Sequence, residues 1–310
     1  MKDLDFIVIG AQKCATTTLF ELLRQHPSIN MPLEKEVPFF TGNDCTPRAW
    51  DAFTKRHFAN DGGDVWGKVT PQYMANPEVP ARLAALMPKT KLIAVLRDPI
   101  ERSKSHFRMG VRRNTETLSF SRAIQDRLNP LALATARASS APTHSHGYES
   151  ESDFYLVWSE YVRILSSYRR HFPKNQLLVL YLEDLKTDPH GVLNKVLDFL
   201  DLDGDFRPRG LGEVMHSGGD QTRIPHGLRV WLRQQGPIAS LWRKIPDHQQ
   251  GRLRFLYERW NNKKTKSPLK LSNTLAQELR EHFAQDTRLL LSLAVPSQPW
   301  MNKYVNGSCA

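Results

Sequence analysis

Asp5-Phe-Ile-Val-Ile-Gly-Ala-Gln-Lys-Cys-Ala-Thr-Thr-Thr-Leu19 reads as a buried strand that runs through Gly10 into a small-residue loop carrying one lysine, then into a helix opened by three threonines. A strand ending at Gly10 aims the next backbone N–H groups at a single point, and the positive end of a helix beginning near Thr16 faces the same point. Lys13 adds a full charge there. Gln12, Lys13, Cys14, Ala15, Thr16, Thr17 and Thr18 are therefore candidate ligands of a phosphate-like anion. The segment is not a Walker A loop, because Ala15 and Thr16 stand where that motif has its second glycine and its lysine. A thiol at Cys14, inside such a loop, reads as a small packing residue rather than a nucleophile.

Residues 91–105 repeat the strand-to-helix pattern: an apolar run from Leu92 to Leu96, then Arg97, then Pro99 in a position suited to a first helical turn, with Ser105 two turns on. Arg97 leaves the strand tip, and Ser105 shares the side of the following helix that faces its N-terminus. A guanidinium and a hydroxyl can grip one phosphate from those two directions. With its lysine placed early, between Gly10 and the threonines, the first segment resembles the 5′-phosphosulfate loop of sulfotransferases that use 3′-phosphoadenosine 5′-phosphosulfate (PAPS). The second resembles the 3′-phosphate motif of that family, an arginine followed eight residues later by a serine.

Two further stretches narrow the resemblance to glycan sulfotransferases of the heparan-sulfate type. Glu34-Lys-Glu-Val-Pro-Phe-Phe40 is similar to a segment in which an acidic residue precedes an aromatic pair, and the resemblance implies Glu36 as catalytic base. Gly67-Lys-Val-Thr-Pro-Gln-Tyr73 is similar to a Lys-Thr-Pro-x-Tyr segment whose lysine lies beside the sulfuryl group, which implies that role for Lys68. The likeness runs from about residue 5 to 200 and resumes at 263–293. There Lys263 and Lys264 stand in the closing nucleotide loop, with Lys264 and Thr265 replacing the Gly and Arg of the relatives. The cysteine pair that the animal enzymes place before that loop is missing.

With 310 residues and motifs spread from Lys13 to Lys263, the chain is expected to form a single domain over 1–310. Its three cysteines, Cys14, Cys45 and Cys309, suit neither a disulfide framework nor a zinc site. The first strand begins so early that no signal peptide fits before it, and no apolar run reaches the ~20 residues of a membrane helix. The expected location is the cytoplasm.

The net charge is +11, and residues 223–270 carry twelve Lys or Arg against Asp247 and Glu258. That excess is more than a nucleotide needs, and it invites an anionic acceptor or peripheral contact with an anionic lipid surface, unless it is simply a solvated face. Trp231, Leu232, Leu241, Trp242 and Ile245 make part of the segment amphipathic, as in a lid or a helix lying on a membrane. Nucleic acid ranks last, because no zinc-finger, RNA-binding or helix-turn-helix pattern is present.

Strands are expected at 5–10, around 65–69, at 91–96 and at 177–182. Helices are expected at about 16–26, 47–58, 77–87, 99–112, 119–128, 151–171, 188–200, 225–244 and 272–293. The alternation implies an α/β fold of P-loop type, a central parallel sheet with helices on both faces. Residues 129–150 read as a long loop; its His144 and His146 lack a neighbouring carboxylate or thiol, so no metal is expected. The reading expects PAPS as donor and a hydroxyl or amine of a carbohydrate or glycosylated small molecule as acceptor. A P-loop kinase of a small metabolite and a non-catalytic nucleotide- or polyanion-binding module are the alternatives. Nothing in the sequence specifies the oligomeric state.

Overall fold

The computed structural model describes residues 2–58, 63–113, 115–140, 151–212, 221–222, 224, 262–263, 269–293 and 296–305. Its centre is a sheet of five parallel strands in the order β2-β3-β1-β4-β5. These are β1 (Phe6–Gly10), β2 (Ile29–Asn30), β3 (Val65–Val69), β4 (Lys91–Leu96) and β5 (Leu177–Tyr181). Every residue of β1 is buried, as expected of the middle strand of a sheet covered on both faces. Phe6 pairs with Gly67 of β3 on one side and with Lys91 of β4 on the other.

Parallel strands need crossover connections, and the helices supply them. They are α1 (Thr16–Leu23), α2 (Pro47–His57), α3 (Val79–Leu86), α4 (Pro99–Arg113), α5 (Phe120–Arg127), α6 (Pro130–Ala138), α7 (Tyr161–Arg169), α8 (Leu182–Thr187), α9 (Pro189–Phe199), α10 (Asn273–Ser292) and α11 (Asn302–Val305). Side-chain oxygens stop several at their N-termini: Thr46 accepts from the Ala49 amide, Ser119 from Arg122, Asp188 from Gly191 and Ser272 from Leu275. From β1 the chain crosses to β2 and β3 on one side and only then to β4 on the other. That reversal opens a crevice at the carboxyl ends of β1, β3 and β4, where open α/β sheets bind their ligands.

The long loop expected at 129–150 is in part helix. The Asn129 carboxamide accepts from the Leu131 amide at 2.9 Å, Pro130 occupies the first turn, and α6 runs to Ala138. Asn-Pro here is a helix start rather than loop composition. The single helix expected at 151–171 is instead two 3₁₀ turns, Ser152–Phe154 and Val157–Ser159, followed by α7. The cause is lateral demand on the backbone: Arg102 donates to the Tyr155 carbonyl at 2.7 Å and the Ser103 hydroxyl donates to it at 2.6 Å, which takes that oxygen out of a helical ladder. The edge strand β2 and the short α8 are additions to the expected set. The expected helix 225–244, most of the basic segment, His144 and His146 lie outside the described residues.

Glu160 ties three helices together. Its carboxylate accepts from Arg137 of α6 at 2.7 Å and from Arg163 of α7 at 2.5 Å, and faces His282 of α10 at 3.2 Å. Asp286 of α10 accepts from the amides of Val162 and Arg163, the otherwise unsatisfied donors of α7's first turn.

Candidate active site

The loop after β1 is shaped by backbone rather than by caps. Gly10 is required by close approach: a Cβ there would sit 2.6 Å from the Met74 Cβ and 3.0 Å from the Pro71 carbonyl oxygen. The loop then places Lys13 (φ 74°) and Ala15 (φ 60°) in the left-handed region. For residues with a Cβ each such conformation costs on the order of 1 kcal/mol. No side chain caps α1 and no carboxylate sits in its own first turn, so its positive end at Thr16 is not neutralised by the helix itself. Thr16 is buried, Thr17 and Thr18 are half-buried. Cys14 is buried, and burial pushes its thiol up to about 11, as expected of a packing residue.

Lys13 is half-buried, and its ammonium has the Met109 sulfur as a neighbour at 3.8 Å. Burial first, then Arg112 and Arg113, draw its pKa down from 10.5 to about 7; Glu36 acts in the opposite sense. A lysine drawn down by burial and by neighbouring cations is a candidate anion-binding residue.

The second half of the crevice is the segment that follows β2. Glu36 also has left-handed backbone (φ 68°), so three of the four non-glycine residues of that kind among the described residues belong to this site. Its amide donates to the Val69 carbonyl at 3.0 Å, which attaches the segment to the end of β3. Burial works to raise its carboxyl pKa. Lys35, in direct hydrogen-bonded contact, then Gln72 at 3.4 Å and the charge of Arg113 outweigh that and hold it below the ordinary value. Phe39 and Phe40 drive into a cluster with Trp50, Phe53 and Tyr73. The Tyr73 hydroxyl accepts from the Phe39 and Phe40 amides at 2.8 and 3.1 Å, while the Tyr168 hydroxyl donates to the Tyr73 carbonyl at 2.6 Å.

Lys68, expected beside a transferring group, is buried (1% exposed) within β3. Its ammonium donates to the Val37 carbonyl and lies 5.3 Å and 5.5 Å from the ring centres of Phe53 and Tyr73. Burial draws it down to about 7, and Glu36 pulls the other way. In this geometry it braces the Glu36 segment from beneath.

Arg97 leaves the tip of β4 as expected. Its guanidinium lies 3.6 Å from Glu101 and its carbonyl accepts from the Tyr161 hydroxyl at 2.9 Å. Ser105 is half-buried in the second turn of α4, whose first turn is capped by Asp98 through the Ile100 and Glu101 amides at 2.9 and 3.1 Å. Lys263 falls in the short strand β7 (Asn262–Lys263), antiparallel to β6 (Gln221–Thr222), and β6 lies against α4. Lys264 lies outside the described residues.

Sequence reasoning did not single out Lys35, Gln72, Arg102, His106, Met109, Arg113 or Glu151. Four of them follow one helical stripe on α4, since Arg102, His106, Met109 and Arg113 recur at i, i+4, i+7 and i+11; Arg102 and Met109 contact the loop after β1, while His106 and Arg113 face Glu151. Polar residues at core-facing spacing were the available signal. Burial lowers His106 to about 4, so the ring is neutral at ordinary pH.

A sulfotransferase-domain model matches residues 3–208, about two thirds of the chain. The chain belongs to the sulfotransferase-domain family. Among curated proteins, heparan sulfate glucosamine 3-O-sulfotransferase 3B1 of Homo sapiens is 32% identical over 196 residues, which cover 63% of this chain and 45% of that protein. Membrane-associated sulfotransferase kil1 of Dictyostelium discoideum is 25% identical over 309 residues, covering 76% and 64%. The chain thus spans less than half the length of the first-mentioned relative. Among solved structures, a sulfotransferase from Alicyclobacillus acidocaldarius superimposes with a TM-score of 0.63 at 20% identity, over 97% of this chain and 99% of that one. That likeness supports the fold of this family member, the expected P-loop-type α/β architecture. No helix among the described residues is long and apolar enough to cross a membrane.

Proposed function

We propose that this sulfotransferase-family protein moves the sulfuryl group of PAPS to a hydroxyl or amine of a glycan acceptor, releasing adenosine 3′,5′-bisphosphate (PAP). The observation that carries the reading is the convergence at one crevice of an uncapped helix N-terminus and Lys13 after β1, Glu36 tied to the end of β3, and Arg97 after β4. The residues present fit the donor: the uncapped α1 and the depressed Lys13 both want an anion. When bound, the donor supplies an activated sulfuryl group on a phosphate leaving group, a transfer governed by in-line positioning and charge stabilisation.

In this assignment the amides from Gln12 to Thr18, with Cys14 and Ala15 contributing backbone only, hold the 5′ end of the donor. Lys13 offsets charge developing on the leaving oxygen. Arg97 and Ser105 would hold the 3′-phosphate, with Arg97 exchanging Glu101 for that ligand, and the family resemblance assigns Lys263 and Lys264 to nucleotide binding. Glu36, held ionised by Lys35, accepts the acceptor's proton. Lys68 keeps Glu36 at its station through the Val37 carbonyl and adds positive potential behind the sulfuryl group. No metal enters this scheme, because lysine and helix dipoles do the neutralising.

The curated relatives named for heparan sulfate support a glycan as acceptor, and the basic segment 223–270 supports an anionic one or contact with an anionic lipid surface. Among the described residues, the free thiols of Cys14 and Cys45 fit a reducing cytoplasm. We read residues 1–310 as one domain because α10 caps α7 through Asp286. Calorimetry with PAP against ATP and Mg²⁺ tests the core of the proposal: the transferase binds PAP with clear preference, whereas a preference for ATP with Mg²⁺ means a kinase.

A further inference from the structure

The phosphate loop is held from behind by a residue 139 positions away. Glu151 is 4% exposed, and its carboxylate accepts from the Gln12 side-chain amide at 2.9 Å. The same oxygen faces His106 Nε2 at 3.3 Å and an Arg113 guanidinium nitrogen at 3.7 Å, both on α4. The Gln12 carbonyl accepts from Arg102, also on α4, at 3.5 Å. Gln12 is itself buried, and its side-chain oxygen has no hydrogen-bond partner among the described residues. Gln12 is therefore oriented through its amide nitrogen and its backbone carbonyl, and it immediately precedes Lys13.

A buried carboxylate behind an anion-binding loop is electrostatically adverse. It repels the donor's phosphates, and its own desolvation is costly unless it is paired and hydrogen-bonded. Packing alone would be met by a neutral glutamine or an apolar side chain. Resting on the functional reading above, we infer that Glu151 is a positioning residue for sulfuryl transfer, which sets the phosphate loop through Gln12 and couples it to α4 through His106 and Arg113. It touches neither donor nor acceptor; it acts through the residue next to Lys13.

The opposition between its charge and its hydrogen bond makes the role separable. Glu151→Ala removes the acceptor of the Gln12 amide and should raise the Kd for PAP about ten-fold, the scale of one charge-assisted hydrogen bond. Glu151→Gln retains an acceptor and sheds the repelling charge, so PAP should bind as tightly as to the parent or more tightly. Gln12→Ala should match Glu151→Ala, and the double variant should be no weaker than either single one, because both break one link. The Kd for PAP and the KM for PAPS are measured for the parent and all four variants, with thermal melting as a control. Parent-like PAP affinity in both alanine variants overturns the inference, as do losses that multiply in the double variant or a Glu151→Gln that binds PAP as weakly as Glu151→Ala. If Glu151→Ala does not fold, Gln12→Ala against Glu151→Gln carries the same test. A parent that does not bind PAP overturns the functional reading and this inference together, whereas a PAP-binding parent with unaffected variants overturns this inference alone.

Discussion

Lys13 should make donor binding fall steeply with pH in a range where the nucleotide itself does not titrate. Its pKa in the unliganded protein is drawn from 10.5 to about 7, so about half the molecules carry the ammonium at neutral pH and about one in a hundred at pH 9. A bound phosphate replaces the lost solvation and returns the lysine toward its ordinary value, so binding takes up a proton. PAP affinity should then drop about 50-fold between pH 7 and pH 9, approaching ten-fold per unit above the midpoint. The free protein moves the opposite way. A lysine whose folded pKa lies below its unfolded value binds fewer protons folded than unfolded between about 7 and 10.5, so this group's cost to stability shrinks as pH rises through that window. Isothermal titration of PAP at several pH values, in buffers of different ionisation enthalpy, reads both the affinity and the proton uptake. Lys13→Arg keeps its charge throughout and should flatten the profile. A parent Kd that changes less than three-fold over this range, with no proton uptake, refutes the assignment of Lys13 to the anion.

Glu36→Gln should lower kcat by about 10²–10⁴-fold with little change in PAP affinity, while Glu34→Gln, at an exposed position, stays near parental turnover; initial-rate kinetics checks both. Arg97→Ala should weaken PAP binding by roughly 2–4 kcal/mol, the loss of charge-assisted bonds to a phosphate, and unchanged affinity in calorimetry removes the 3′-phosphate assignment. Tyr73→Phe leaves the buried Phe39 and Phe40 amides without their acceptor and should cost about 1–3 kcal/mol in urea unfolding. Glu160 is buried, which works to raise its pKa, yet His282, Arg137 and Arg163 hold it near 2 against 4.5. Its contribution is complete above pH 4.5 and is lost as pH falls toward 2, so Glu160→Gln should abolish up to about 3 kcal/mol of acid-sensitive stability in chemical unfolding run across that window.

The strand tips were legible because their signals are local. Apolar runs ending in Gly10 and in Arg97 announce both the strand and its exit, and β1 and β4 fall within one residue of the expected spans. Glu36 was singled out only through its neighbours, since Glu34, Lys35 and Glu36 alone resemble a solvated charge run; in the structure Glu34 is exposed while Glu36 is partly buried and has left-handed backbone. Lys68 shows the limit of motif reading. The residue stands where the pattern puts it, but the direction of its ammonium is decided by Val37, Phe53 and Tyr73, which lie on three different elements. The network of Gln12 with Glu151 joins residues 139 apart, and no periodicity encodes a contact of that separation. The 3₁₀ turns at 152–159 were missed for a related reason: a buried arginine on another helix claims their carbonyls.

The hydroxyl of Tyr73 carries a consequence for how such enzymes diversify. The stretch bearing Glu36 is suspended from the scaffold by one phenol, by the Val69 carbonyl and by the Lys68 ammonium, all supplied by β3 and the turn after it. Glu36, the proposed proton acceptor, is thereby registered to the same sheet that carries the loop after β1. Insertions, deletions and charge changes in surface connections can then accumulate without moving Glu36 relative to the loop after β1. Acceptor choice becomes an inheritable variable separate from chemistry, and grafting foreign surface loops onto this framework should redirect specificity while the step itself survives.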